Sequence, residues 1–159
     1  MPMDAVCMSA AAEELRRAAL GARIDKIQQP SRDQIVMLLP RGMRLLINAG
    51  TNQPRMHLTG LLRENPAQPP MFCMLLRKHL SGGRLSGIEQ IPMERWVSFV
   101  FDCTDEMGYP VRKRLVAELM GRTCNIYLLG ADGRIIDCLR RIGLDDSQKR
   151  QALPGRYYQ

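Results

Sequence analysis

WVSFVFDCTDEMGYPVRKRLVAEL, residues 96–119, decides the fold. Residues 96–103 make the most hydrophobic strand of the chain, rich in the β-branched and aromatic types that suit a pleated, half-buried surface. Asp105-Glu-Met-Gly108 then supplies turn chemistry, and residues 111–119 resume an extended pattern. The pair predicts an antiparallel hairpin. Working outward, residues 85–91, 125–129 and 134–139 read as further strands, the last two joined at Ala131-Asp-Gly133. Nearer the N-terminus, residues 23–28 alternate apolar with polar, as do parts of 34–39 and 43–48. Pro30 and the Pro40-Arg41-Gly42 turn separate these pieces, and residues 55–59 make a fourth, short strand.

Two helices interrupt the strands. Residues 10–22, AAAEELRRAALGA, are rich in strong helix formers. Asp4 or Ser9 could cap the start, and Asp4 would give about four turns with Val6 and Met8 in the first. The second, MFCMLLRKHLSGG at 71–83, follows Pro69-Pro70, where the missing N–H groups cost nothing, and ends at Gly82-Gly83. It sets Phe72, Leu75, Leu76, His79 and Leu80 on one stripe and leaves Arg77 and Lys78 for solvent or a partner. The expected fold is α+β, an antiparallel β-sandwich flanked by two helices. Residues 1–150 are the domain; 151–159, polar and turn-rich, read as the start of a linker to further domains.

A chain of 159 residues buries enough surface, roughly 70% of that of its unfolded state, to stand without disulfides or metal. Its five cysteines are odd in number and scattered, and His57 and His79 adjoin no thiol cluster, so no metal or cofactor is expected. No apolar run is long enough to cross a bilayer, and Asp4 stands where a signal peptide would carry positive charge, so the chain reads as cytoplasmic with no membrane partner. No nucleophile elbow, phosphate loop, dinucleotide fingerprint or zinc-protease motif is present, which argues against an enzyme.

Charge is more informative. Lys and Arg number 23 against 16 Asp and Glu, a net +7, and all but four of the 23 are Arg. A guanidinium binds phosphate in two-point fashion and stacks on bases, so the balance points to nucleic acid. Arg77-Lys78-His79, Arg112-Lys113-Arg114 and Arg140-Arg141 concentrate it, and Arg77, Lys78, Arg112, Arg114 and Arg122 are the candidate RNA phosphate contacts. Glu94-Arg95, beside the strand at 96, could read base edges, the acid accepting from an amino group and the Arg donating to guanine. Glu118 reads as a structural acid paired with Arg77 or Arg122.

Several of these segments together resemble a family. Asn52-Gln-Pro-Arg55 with His57-Leu-Thr59, PMFCMLLRKHL at 70–80 with Gly82-Gly-Arg84, Glu89-Gln-Ile91, Glu118-Leu-Met-Gly-Arg122 with Asn125, and Leu153-Pro-Gly-Arg-Tyr157 are similar to the NFACT-N domain of the fibronectin-binding protein A, RqcH and NEMF proteins. The resemblance runs in order over the whole chain. It implies ribosome quality control: binding the large ribosomal subunit that carries stalled peptidyl-tRNA, and recruiting tRNA for C-terminal tailing of the nascent chain. It also implies kinship with the N-terminal domain of formamidopyrimidine-DNA glycosylases. The family's tRNA-binding positions fall on Asp4 and on Glu94-Arg95, where the Arg is kept and Glu replaces Asp. That exchange keeps the charge and moves it by one methylene. The older family name carries an alternative partner, fibronectin, and an adhesin role. The glycosylase kinship carries another, base excision by the amine of Pro2, against which Met3 stands where an acid is expected.

Overall fold

The computed structural model describes residues 5–50, 54–60, 63–90, 95–120, 124–141 and 153–158. Among the described residues there are two α-helices and nine strands, the strands forming two antiparallel sheets. Helix α1 (Ala5–Ala19) leads into β1 (Lys26–Ser31), β2 (Gln34–Leu38), β3 (Arg44–Asn48) and β4 (Arg55–Thr59), a four-stranded meander in sequence order. Helix α2 (Met71–Leu80) then leads into β5 (Arg84–Glu89), β6 (Trp96–Thr104), β7 (Pro110–Glu118), β8 (Asn125–Leu129) and β9 (Ile135–Cys138), a five-stranded meander. The hairpin expected from residues 96–119 is β6–β7, paired without interruption from Trp96↔Glu118 to Thr104↔Pro110.

Alternation along the strands builds one core from both sheets. Ile27, Ile35, Met37, Leu45, Ile47 and Met56 of the first sheet share a cluster with Val97, Phe99, Phe101, Leu115, Ile126 and Leu128 of the second. Helix α1 adds Met8, Ala12, Leu15 and Ala19 at helical spacing, and α2 adds Phe72, Cys73, Leu76 and Leu80. Each helix touches both sheets: α1 packs on β4 and β5, and α2 on β1, β6 and β9. Backbone bonds also stitch the sheets together, because residues 21–24 pair with 82–85 (Ile24 N to Gly83 O, 2.8 Å; Leu85 N to Ala22 O, 2.9 Å). That approach requires glycine at 83, where a Cβ would lie 2.8 Å from Cys103 Sγ and 3.0 Å from Leu80 O.

Three boundaries refine the expectation. Helix α1 begins at Ala5, where the longer of the two expected starts puts it, and Met8 of its first turn enters the core. Strand β1 runs three residues past Gln28, through Pro30, because it is the edge of its sheet and Pro30 needs no ladder donor there. Residues 153–158, expected to begin a linker, bond to the β8–β9 hairpin: Ile135 N donates to Arg156 O at 2.7 Å, Gly155 N to Ile135 O at 2.8 Å, and Tyr158 N to Gly133 O at 3.1 Å. Tyr158 there packs with Trp96 over Val116, Tyr127, Leu129, Ile135 and Cys138, a small cluster on the outer face of the second sheet.

Candidate nucleic-acid interface

One end of the molecule gathers several of the segments whose motifs the sequence singled out. In the first sheet the turns after β1 and β3 lie side by side, with Ala49 N donating to Asp33 O at 2.9 Å. In the second, the register places Trp96, Glu118 and Asn125 in one row, so the ends of β6, β7 and β8 meet there. Arg140 joins the two. Its Nη2 pairs with Asp33 Oδ1, its Nη1 donates to Cys124 O at 2.7 Å, and its backbone N–H donates to Asn125 Oδ1 at 2.9 Å. Asn125 Nδ2 returns a bond to Arg140 O at 2.8 Å, which satisfies a side chain only 1% exposed.

Arg95 enters this end from the start of β6, where its carbonyl accepts from Leu119 N at 2.9 Å. The Cys124 thiol records the charges around it. Burial pushes its pKa up, Arg140 and Arg95 pull it down, and Asp33 and Glu118 push it up again. Helix α1 lies antiparallel to β5, held by Gly21 N to Leu85 O and, further back, by Arg16 Nε and Nη2 to Ile88 O at 3.0 and 2.9 Å. Its N-terminal end, the positive end of its dipole, therefore faces the end where β5 runs out toward Arg95.

Of the sequence-predicted site residues, Asp4, Glu94 and Arg122 lie outside the described residues. Arg77, Lys78, Arg112 and Arg114 do not form one basic face. Strand periodicity splits the Arg112-Lys113-Arg114 run: Lys113 points inward to helix α2, its Nζ 2.7 Å from His79 Nδ1, while Arg112 and Arg114 project from the opposite face. Arg112 pairs with Asp102 at 3.1 Å and Arg114 with Glu89 at 3.3 Å, exposed pairs that leave much of each guanidinium to solvent. Arg77 was expected to face solvent or a partner. Its Nε instead donates to Ile27 O at 2.7 Å and ties α2 to β1. Lys78 remains exposed.

Of the two Arg partners expected for Glu118, Arg77 is bonded to Ile27 O instead and Arg122 lies outside the described residues; Glu118 accepts from the Tyr158 hydroxyl. His79 packs half-buried against the sheet. Burial lowers its pKa, Lys113 and Lys78 lower it further and Glu106 opposes them; the Lys113 ammonium, which can only donate, lies 2.7 Å from Nδ1. Sequence reasoning missed Asp33 and Tyr158, and read Arg140 only as part of a basic run. The one signal for Tyr158 was a Tyr-Tyr pair in a stretch otherwise composed like a linker.

Fold and described site together define an α+β domain of two antiparallel meanders, in which Arg140 joins the turn after β1 to the start of β8. The chain belongs to the NFACT N-terminal family: the model for NFACT N-terminal and middle domains matches residues 4–159. Among curated proteins it is 36% identical to the Rqc2 homolog RqcH of Bacillus subtilis, over 99% of this chain and 28% of that protein. It is also 35% identical to the archaeal Rqc2 homolog of Methanocaldococcus jannaschii, over 87% of this chain and 20% of that protein. The chain thus spans less than a third of the length of the curated relatives it matches. Among solved structures it superposes on the N-terminal domain of the fibronectin-binding protein PavA from Streptococcus pneumoniae with a TM-score of 0.94 at 34% identity, covering 99% of this chain and 61% of that one. The fibrinogen-binding protein from Staphylococcus aureus gives 0.84 at 27%, covering all of this chain and 56% of that one.

Proposed function

We propose that this chain is the N-terminal, RNA-binding domain of a cytoplasmic ribosome quality control factor of the RqcH type. In this reading it holds tRNA on large ribosomal subunits carrying stalled peptidyl-tRNA, for C-terminal tailing of the nascent chain. The observation that carries the proposal is the family match over residues 4–159, reached through motifs of which several fall at one end of the fold. The surplus of Arg, the N-terminal end of α1 and the position of Arg95 beside Leu119 all support a polyanion there. Asp4 and Glu94 complete the proposed tRNA contacts with Arg95; Arg122, Lys78, Arg112 and Arg114 are proposed as phosphate contacts, and Arg77 only through the parts of its guanidinium not bonded to Ile27. Kinship with the glycosylase fold would supply a precedent for nucleic-acid binding on such a scaffold.

Arg95→Ala tests the proposal. A half-buried loop guanidinium removed from a domain of this size should change stability by under about 0.5 kcal/mol while weakening tRNA binding. Affinity should also fall steeply with salt, as expected when a handful of phosphates are neutralised. Binding of tRNA by Arg95→Ala that matches the parent at every salt concentration would remove Arg95 from the interface. A second reading, attachment to fibronectin, is favoured by the name of the solved Streptococcus pneumoniae relative, a fibronectin-binding protein. Fractionation distinguishes the two: a mainly extracellular pool that binds immobilised fibronectin supports adhesion.

A further inference from the structure

The segment 153–158 does more than cover an apolar cluster. Its backbone adds to the edge of the five-stranded sheet through the Arg134↔Tyr157 bridge, and the Arg134 guanidinium lies over the Tyr157 ring at 4.9 Å. Tyr158 follows, its ring centroid 5.0 Å from that of Tyr127 at an interplanar angle of 59°. From there its hydroxyl donates to Glu118 Oε2. Glu118 is 3% exposed, opposes Trp96 on one side and Asn125 on the other, and directly precedes Leu119, whose N–H holds the Arg95 carbonyl. A short polar chain therefore runs from the last described residues of the domain to the backbone that carries Arg95.

We propose that Tyr158 is a positioning residue for the nucleic-acid interface, and that residues 153–158 form a strap whose docking sets the geometry of the β6 and β7 ends at Arg95 and Leu119. The inference rests on the tRNA-binding reading and adds to it a residue outside the loops that would touch RNA. The strap's hold is made of separable parts. The Tyr127 ring meets the Tyr158 ring, three backbone hydrogen bonds fix the chain, and the hydroxyl reaches Glu118. A buried carboxylate that loses a donor seeks another partner, and the strand end that bears it shifts accordingly. Thermodynamic reciprocity supplies the converse: if a docked strap favours RNA, bound RNA must favour a docked strap.

Tyr158→Phe removes the hydroxyl and keeps the ring on Tyr127. Measured with bulk tRNA and the folded protein, the Kd should rise about three- to tenfold, in the range that coupling through packed side chains produces. Arg95→Ala, run beside it, separates the two layers of argument. Weakened binding by Arg95→Ala with parent-like binding by Tyr158→Phe overturns the strap. Parent-like binding by both overturns the interface itself, and the strap with it. Amide exchange on the unmutated protein gives a measurement independent of any variant's folding. Saturating tRNA should slow exchange at Ile135 and Tyr158, whose N–H groups bond Arg156 O and Gly133 O. Exchange there that is unchanged by bound tRNA refutes the coupling, whatever the variants do.

Discussion

Asp33→Ala isolates what joins the two sheets at the interface end. Asp33 Oδ1 meets Arg140 Nη2 across a separation of 107 residues, and the two side chains keep 34% and 30% exposure. A charge-assisted hydrogen bond contributes about 1.5–3 kcal/mol when well shielded. At one-third exposure, solvent screening reduces that to roughly 1–2 kcal/mol. The Asp33 carbonyl still accepts from Ala49, and Arg140 still donates to Cys124 O, so the loss is confined to the pair. For a domain of this length each kcal/mol lowers Tm by about 2–4 °C, which predicts a fall of roughly 2–8 °C in calorimetry. Affinity for tRNA should stay level or rise, because a carboxylate leaves a site meant for phosphate. Arg140→Met should lose more stability, since the bond to Cys124 O goes with the pair, and should also lose affinity. The double variant should be less destabilised than the two singles added, since both remove one interaction. A parent-like Tm for Asp33→Ala, or strict additivity in the double variant, would refute the claim that this pair couples the sheets.

Leu76→Ala should cost about 2–5 kcal/mol through a cavity between α2 and the sheets, seen as a lower urea midpoint with an unchanged slope, because Leu76 is fully buried. Among the cysteines only Cys7 is exposed, and burial pushes up the thiols of Cys73, Cys103, Cys124 and Cys138, the last to about 12. A thiol reagent at pH 8 should therefore titrate one group in the native protein and five after denaturation. The same four thiols keep their protons in the folded state while an unfolded chain ionises near 9. Stability should consequently hold below that pH and fall as pH rises from about 9 toward 12. Rapid modification of Cys138 in the native state would contradict both statements.

Local chemistry made much of this fold legible. The β6–β7 hairpin could be read because residues 96–103 and 111–119 carry strand-forming side chains on both arms and Asp105 caps the turn between them, its Oδ1 accepting from Met107 N and Tyr109 N at 2.9 Å. Helix α2 could be read because Pro69-Pro70 and Gly82-Gly83 punctuate an apolar stripe. The family was visible for a related reason: its motifs are contiguous words such as PMFCMLLRKHL, and no knowledge of contacts is needed to recognise them.

What tertiary structure alone decided is the partner of each charge. Adjacent residues on a strand point to opposite faces, so a run such as Arg112-Lys113-Arg114 says nothing about which cations share a surface until the sheet is built. Arg77 turns its Nε to the Ile27 carbonyl because α2 packs on β1, and Arg140 finds Asp33 because the ends of two different sheets meet. Composition marked residues 151–159 as a leaving segment, yet among the described 153–158 Tyr157 bridges to Arg134 and Tyr158 packs on apolar surface once a sheet edge and an outer-face cluster exist to receive them. Short-range pattern thus determined the elements and the kinship of this chain. Long-range pairing, whose energy depends on neighbours far off in sequence, determined where its charges came to rest.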